Sequence, residues 1–159
     1  MKKQEKTNVM RFLDQKKIPY VIHDYSDSGV IAGEDVAKTL GENPDEVFKT
    51  LVTVGKTKQY YVFLVPVCKE LNLKKAAKAV GEKSIEMIKS KELLPLTGYV
   101  HGGCSPVGMK KLFGTVVHIT ARDKEKVIFS AGRIGRQVEM NINELAKAIP
   151  FTFADVVRR

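Results

Sequence analysis

Val47-Phe-Lys-Thr-Leu-Val-Thr-Val54 and Gln59-Tyr-Tyr-Val-Phe-Leu-Val-Pro66 are two runs rich in β-branched and aromatic residues, separated by Gly55-Lys-Thr-Lys58. Composition and spacing predict two strands joined as a hairpin. The second run is apolar at every position from Tyr60 to Val65, so both of its faces carry packing surface. That is the pattern of a central strand covered on two sides, and the rest of the fold must be arranged around it.

Toward the N-terminus, Thr7 or Asn8 can cap a helix with Val9, Phe12 and Leu13 on one face, ended by Pro19. A strand over Tyr20 to Tyr25, a loop over Ser26 to Gly33, and a helix over Glu34 to Leu40 stopped by Gly41 follow. Beyond the hairpin, Leu73, Ala76, Ala77 and Val80 form a helical stripe with Lys74, Lys75 and Lys78 outside it. Ser84 to Lys89 reads as a second short helix. Thr115 to Ile119, Lys126 to Ser130 and Gln137 to Met140 read as strands, and Asn143 as the cap of a helix reaching about Ala148. Helices and strands alternate without repeat or linker. The expectation is therefore a single α+β domain over residues 1–159. Its core would be a mixed, curved, open barrel-like sheet of about six or seven strands with surrounding helices.

The chain has 159 residues, of which 43% are hydrophobic and 28% charged, so it has enough apolar material for a core without staples. Lysine and arginine total 27 against 18 acids, a net charge of +9. Such a surface attracts a polyanion, nucleic acid first among them, within a screening length of roughly 8 to 10 Å. No run of five basic residues occurs, so a merely lysine-rich surface stays open as the alternative. Cys68 and Cys104 are too few for a disulfide framework, which points to a cytoplasmic setting. The charged opening Met1-Lys-Lys-Gln-Glu-Lys6 is unlike a signal core, and no apolar stretch is long enough to cross a membrane.

Chemistry by metal is not expected, because His23, His101, His118, Cys68 and Cys104 show no paired ligand spacing. No Gly-x-Ser-x-Gly elbow is present. Three features remain. Lys49 shares a strand face with Val47 and Leu51, where it either snorkels to water or stands at a pocket wall. The loop His101-Gly-Gly-Cys-Ser-Pro-Val-Gly-Met109 has glycines that let a ligand approach the main chain, or is simply a connector. Ser130-Ala-Gly-Arg-Ile-Gly-Arg136 is a turn whose two arginines can grip phosphate or carboxylate, or be solvated. Cys104 and Ser105 are tempting nucleophiles, yet a reactive thiol needs a base or a helix N-terminus beside it, and the sequence names neither.

Three segments, Asp45-Glu-Val-Phe-Lys-Thr-Leu51, Gly102-Gly-Cys-Ser-Pro-Val-Gly108 and Ser130-Ala-Gly-Arg-Ile-Gly-Arg-Gln-Val-Glu139, occur in one order and spacing. Together with Leu73-Lys-Lys-Ala-Ala-Lys-Ala79 and Phe153-Ala-Asp-Val-Val-Arg158 they resemble the YbaK/EbsC family. These are bacterial aminoacyl-tRNA deacylases related to the editing domain inserted in prolyl-tRNA synthetases. The resemblance implies the editing-domain fold and a cofactor-free enzyme that hydrolyses mischarged tRNA in trans, typically Cys-tRNA(Pro), beside prolyl-tRNA synthetase. Binding alone separates small side chains by only about 10- to 200-fold, so a second sieve is needed. In this family the cysteine substrate's own thiol attacks its carbonyl, leaving as a thiolactone.

Carried over by position, Lys49 matches the essential lysine, and Gly102 and Gly103 the glycines whose main chain meets the scissile carbonyl. Tyr25, Thr50, Ser105, Pro106, Ser130, Gly132 and Gln137 fall at substrate-pocket positions, while Lys110, Lys111, Arg133 and Arg136 are candidate tRNA contacts. Cys104 falls where the family accepts aliphatic residues, which makes it a small hydrophobe. Two departures stand out: Gln137 occupies the place of an aspartate and Ala32 that of an aromatic residue. They leave open another misacylated substrate such as Ala-tRNA(Pro). A nonenzymatic tRNA- or synthetase-binding module on the same scaffold also stays open.

Overall fold

The structure, a computed structural model, describes residues 6–30 and 33–158; Ala32 lies outside them. Helix α1, Asn8–Gln15, starts at Thr7, whose buried hydroxyl accepts the Met10 N–H at 3.2 Å, and it packs Val9, Met10 and Leu13 inward. Strand β1, Val21–Asp24, follows, then helix α2, Gly33–Leu40. Gly41 ends α2 in the left-handed region at φ 69°, which a side chain would strain. The Glu42 N–H then reaches back to the Ala37 carbonyl at 2.8 Å.

Strands β2, Phe48–Gly55, and β3, Tyr60–Pro66, form the expected hairpin, in register from Phe48 opposite Pro66 to Val54 opposite Tyr60. They sit inside a five-stranded sheet with β4, Ile85–Met87, β5, Gly114–His118, and β8, Thr152–Ala154, in the order β4-β2-β3-β5-β8. The sheet is mixed, since β3 pairs antiparallel with β2 but parallel with β5. The uniformly apolar run of β3 is explained by burial on two sides. Val62 and Leu64 join the larger core, with Val117 and Phe129, while Phe63 and Val65 join a second cluster with Ala76, Ala77 and Val156.

A separate sheet, ordered β1-β7-β6, contains β6, Lys126–Arg133, and β7, Arg136–Asn141. The two sheets are joined by a parallel bridge from Val47 to Ile128. The larger core lies between them and under α1 and helix α5, Ile142–Ala148. Helix α3, Leu73–Val80, begins where sequence places it, with Asn72 accepting the Lys74 and Lys75 N–H groups. It covers the outer face of the five-stranded sheet. The α+β class and open, mixed architecture therefore hold. Where one sheet of about six or seven strands was expected, the described residues form eight strands divided between two sheets.

Local readings failed at three helices or strands besides β8. Ser84 to Lys89 is not a helix: residues 85–87 are strand β4, drawn onto the edge of β2 by pairing of Thr53 with Met87 and Gly55 with Ile85. A partner strand outweighs the weak preference of so short a segment. Helix α4, Ser90–Thr97, was hidden by Pro95 within it, which reads as a breaker. The cap of α5 is Asn141, whose side chain accepts the Asn143 N–H at 2.7 Å, so the helix starts earlier than expected.

Candidate active site

The first half of β2 faces a cavity of about 450 Å³, bordered by the loop after α4 and by the β6 and β7 strands. Tyr25, Lys49, Thr50, Gly102, Ser130 and Gln137 line it together. Two of them show why this cavity is built for a ligand. Lys49 is half-buried and its ammonium group has no hydrogen-bond or ion-pair partner among the described residues. Next to it, the Thr50 hydroxyl oxygen is buried with no partner. Buried polar groups are nearly always satisfied, so an orphan hydroxyl beside a cavity calls for a partner that the protein itself does not supply.

The opposite wall comes from β6 and β7, where Ser130 and Gln137 are directly paired and so present side chains on one face. A bulge between Ser130 and Arg133 reshapes the strand, and the Gly132 N–H donates to the Ser130 hydroxyl at 3.1 Å. The hydroxyl proton stays available to a ligand. The glycine loop is pressed onto the β6–β7 turn. Gly102 has φ 86°, and a Cβ on Gly103 would stand 3.0 Å from the Ile134 nitrogen and 3.2 Å from the Arg133 carbonyl carbon.

Other positions carried over from the resemblance lie elsewhere. Gly103 is buried under that turn rather than in the cavity wall. Ser105 is fully buried and its hydroxyl accepts the Val107 N–H, closing a turn. Pro106 borders a different groove, with Phe12, Lys111 and Phe113. Gly132, at φ 94°, packs against Tyr99 and Val9. Of the four basic candidates, Lys110, Lys111 and Arg133 are exposed. Arg136 is mostly covered and pairs with Asp24 at 3.8 Å.

Cys104 borders the cavity but is only 8% exposed, and loss of water pushes its thiol up to about 12, against an opposing hydrogen bond with Thr97. At neutral pH the sulfur is therefore protonated and a poor nucleophile. Cys104→Ala is expected to keep deacylation within about three-fold of the parent, since only packing is lost. Abolished turnover in a folded variant, measured by single-turnover hydrolysis, would reinstate the thiol.

Sequence reading missed Glu42. Read locally it is a solvated charge in a turn, and no local pattern could have shown otherwise. The left-handed Gly41 swings its side chain inward until only 3% of it is exposed. With the Gln137 amide oriented to suit its neighbours, its NH2 donates to the two Glu42 carboxylate oxygens at 2.7 and 3.0 Å. Burial raises the Glu42 pKa to about 6, the His23 charge opposing and Glu139 adding to the rise. Protonation thus favours the fold below the ordinary carboxylate range. That contribution is lost as pH rises through about 6, so an ionised Glu42 is held at a cost to stability.

Among the described residues no cluster of three His, Cys, Asp or Glu side chains could hold a metal, and no helix is long and apolar enough to cross a membrane. What the cavity offers is one unpaired cation, orphan and half-used hydroxyls, and glycine main chain, an arrangement suited to gripping a polar ester. The chain belongs to the aminoacyl-tRNA editing domain family, whose model matches residues 29–148. It is an aminoacyl-tRNA deacylase, a hydrolase that edits mischarged tRNA. At 41% identity over 99% of the chain it is similar to the "Putative Cys-tRNA(Pro)/Cys-tRNA(Cys) deacylase EbsC" of Enterococcus faecalis, covering 97% of that protein. Two solved structures share the fold. One is a hypothetical protein, with a TM-score of 0.87 at 24% identity, covering 96% of this chain and 100% of that one. The other is described as "a putative trans-editing enzyme for prolyl tRNA synthetase", with a TM-score of 0.85 at 23% identity and 96% of both chains covered.

Proposed function

We propose that the substrate is cysteine esterified to proline tRNA and that the attacking group is the substrate's own thiol. The observation that carries this reading is a cavity whose cation is unpaired among the described residues and whose loop offers neither its thiol nor its serine as a nucleophile. Cys104 is held protonated, and Ser105 is sealed away from the cavity. The name of the E. faecalis relative adds support for the amino acid.

In the proposed step the cysteinyl sulfur attacks its own carbonyl carbon, and a C–S bond forms as the ester C–O bond breaks. The thiol proton ends on the ribose hydroxyl of the tRNA. The cysteine leaves as a thiolactone, which water opens to free cysteine. The Lys49 ammonium and the Gly102 main chain stabilise charge on the ester oxygens; Tyr25, Thr50, Ser130 and Gln137 hold the aminoacyl group. Donors preorganised in this way are each worth about 10²- to 10³-fold in rate. The protein supplies position and electrostatics rather than a covalent intermediate.

The whole chain, residues 1–159, acts as one editing domain in the cytoplasm, beside prolyl-tRNA synthetase, which identifies the tRNA. Excess positive charge, including exposed Lys110, Lys111 and Arg133, supplies the sequence-independent part of tRNA affinity. The test is single-turnover hydrolysis of Cys-tRNA(Pro), Ala-tRNA(Pro), Pro-tRNA(Pro) and the S-methylcysteinyl ester. The cysteinyl ester is expected to react fastest. The S-methyl ester, which lacks the attacking thiol, should be slower by about 100-fold or more. Preference for the alanyl ester, or equal rates with and without a free thiol, would overturn the reading.

A further inference from the structure

Gln137 is 5% exposed, lines the cavity, and has its amide nitrogen fastened to Glu42 by two contacts. Behind Glu42 lies His23, whose Nδ1 is 3.8 Å from the Glu42 carboxylate while its Nε2 is 2.9 Å from Glu139. Lys126 in turn reaches Glu139 at 3.5 Å. A chain of groups thus runs along one face of the three-stranded sheet to the cavity wall, and its innermost charge is a carboxylate. That carboxylate is expensively placed. It is buried, and it follows the C-terminal end of α2, where the helix dipole disfavours negative charge.

We infer that Glu42 is a positioning residue for recognition of the substrate's α-ammonium group, acting through Gln137. An unsupported glutamine side chain presents either end of its amide. With its NH2 held by a carboxylate, only the other end, the carbonyl oxygen, is left for a ligand. A carbonyl backed by an ionised carboxylate is a stronger acceptor for a cation than a neutral amide, because the polarised hydrogen bond and the nearby negative charge act together. The pair therefore does in two layers what one carboxylate at position 137 would do directly. Glu42 supplies the charge, and Gln137 delivers it to a cavity that already holds the positive Lys49. Lys49 has no ion-pair partner among the described residues and stays available for the ester.

This inference rests on the editing reading, and binding separates the two. The probes are two non-hydrolysable adenosine 3′-amides, one carrying cysteine and one carrying 3-mercaptopropionate, which differs only by lacking the amino group. Calorimetric titration of the parent is expected to show tighter binding of the amine-bearing probe. Glu42→Gln should weaken that probe by about ten-fold and leave the other unchanged. Moving the charge forward, in Glu42→Gln combined with Gln137→Asp, should restore the preference for the amine. Equal weakening of both probes in Glu42→Gln would make the residue merely structural and overturn the inference. So would no weakening of either, no restoration in the double variant, or a parent indifferent to the amine. A parent that discriminates the amine yet fails to hydrolyse Cys-tRNA(Pro) would sink the editing reading and leave this one standing.

Discussion

Replacing Lys49 with alanine is expected to slow single-turnover deacylation by about 10²- to 10³-fold while leaving the protein folded. The loss is large because the group is preorganised. β2 holds Lys49 in register opposite Val65, the cavity partly shields it, and no carboxylate among the described residues competes for it. In such a site an ammonium group interacts with developing negative charge far more strongly than in water. The fold has little to lose. The Lys49 ammonium makes no ion pair or hydrogen bond among the described residues, and removing a half-buried unpaired cation relieves desolvation. Thermal unfolding should therefore move by no more than about 4 °C. Lys49→Arg is not expected to rescue the rate, because a broad planar guanidinium cannot occupy the position of a compact ammonium group. Full activity in folded Lys49→Ala would remove this residue from the mechanism.

The second large effect concerns a residue that touches no ligand. Gly103→Ala is expected to lower the rate by about 100-fold, through displacement alone. The new Cβ would meet the Ile134 nitrogen at 3.0 Å and Arg133 backbone atoms at 3.2 and 3.3 Å, none of which can rotate aside as a flexible side chain could. The glycine loop and the β6–β7 turn must then separate. One carries Gly102 and the other leads directly to Ser130 and Gln137, so the two walls of the cavity shift relative to each other. The core beneath is untouched, and circular dichroism should show a native fold. An unchanged rate would mean that the spacing of loop and turn is irrelevant to the reaction.

Much of the scaffold was legible because it is written in short-range patterns. The apolar run of β3, the stripe on α3, the Asn72 cap and the Thr7 cap each express a local rule that tertiary structure had no reason to override. Two segments that escaped local reading had weak preference and a strong distant partner. β4 is three residues recruited by the edge of β2, and β8 is three residues laid beside β5. The site divides in the same way. Lys49 stood out as a cation in an apolar strand, and the glycine loop stood out by composition.

Ser105 and Glu42 show the limit. Ser105 sits in the most suggestive motif of the chain, yet the fold turns it inward to close its own loop. Glu42 sits in an unremarked turn, yet the left-handed Gly41 delivers it behind Gln137. By itself, the sequence determined the α+β class, the central hairpin and the family, and it marked Lys49 as a cation out of place in an apolar strand. It could do so because propensity, periodicity and motif are properties of neighbours along the chain. Tertiary structure alone decided which hydroxyls stay unpaired, which thiol stays protonated and which carboxylate backs the cavity. Burial and hydrogen-bond partnership are set by residues distant in sequence, and they exist only once the two sheets have met.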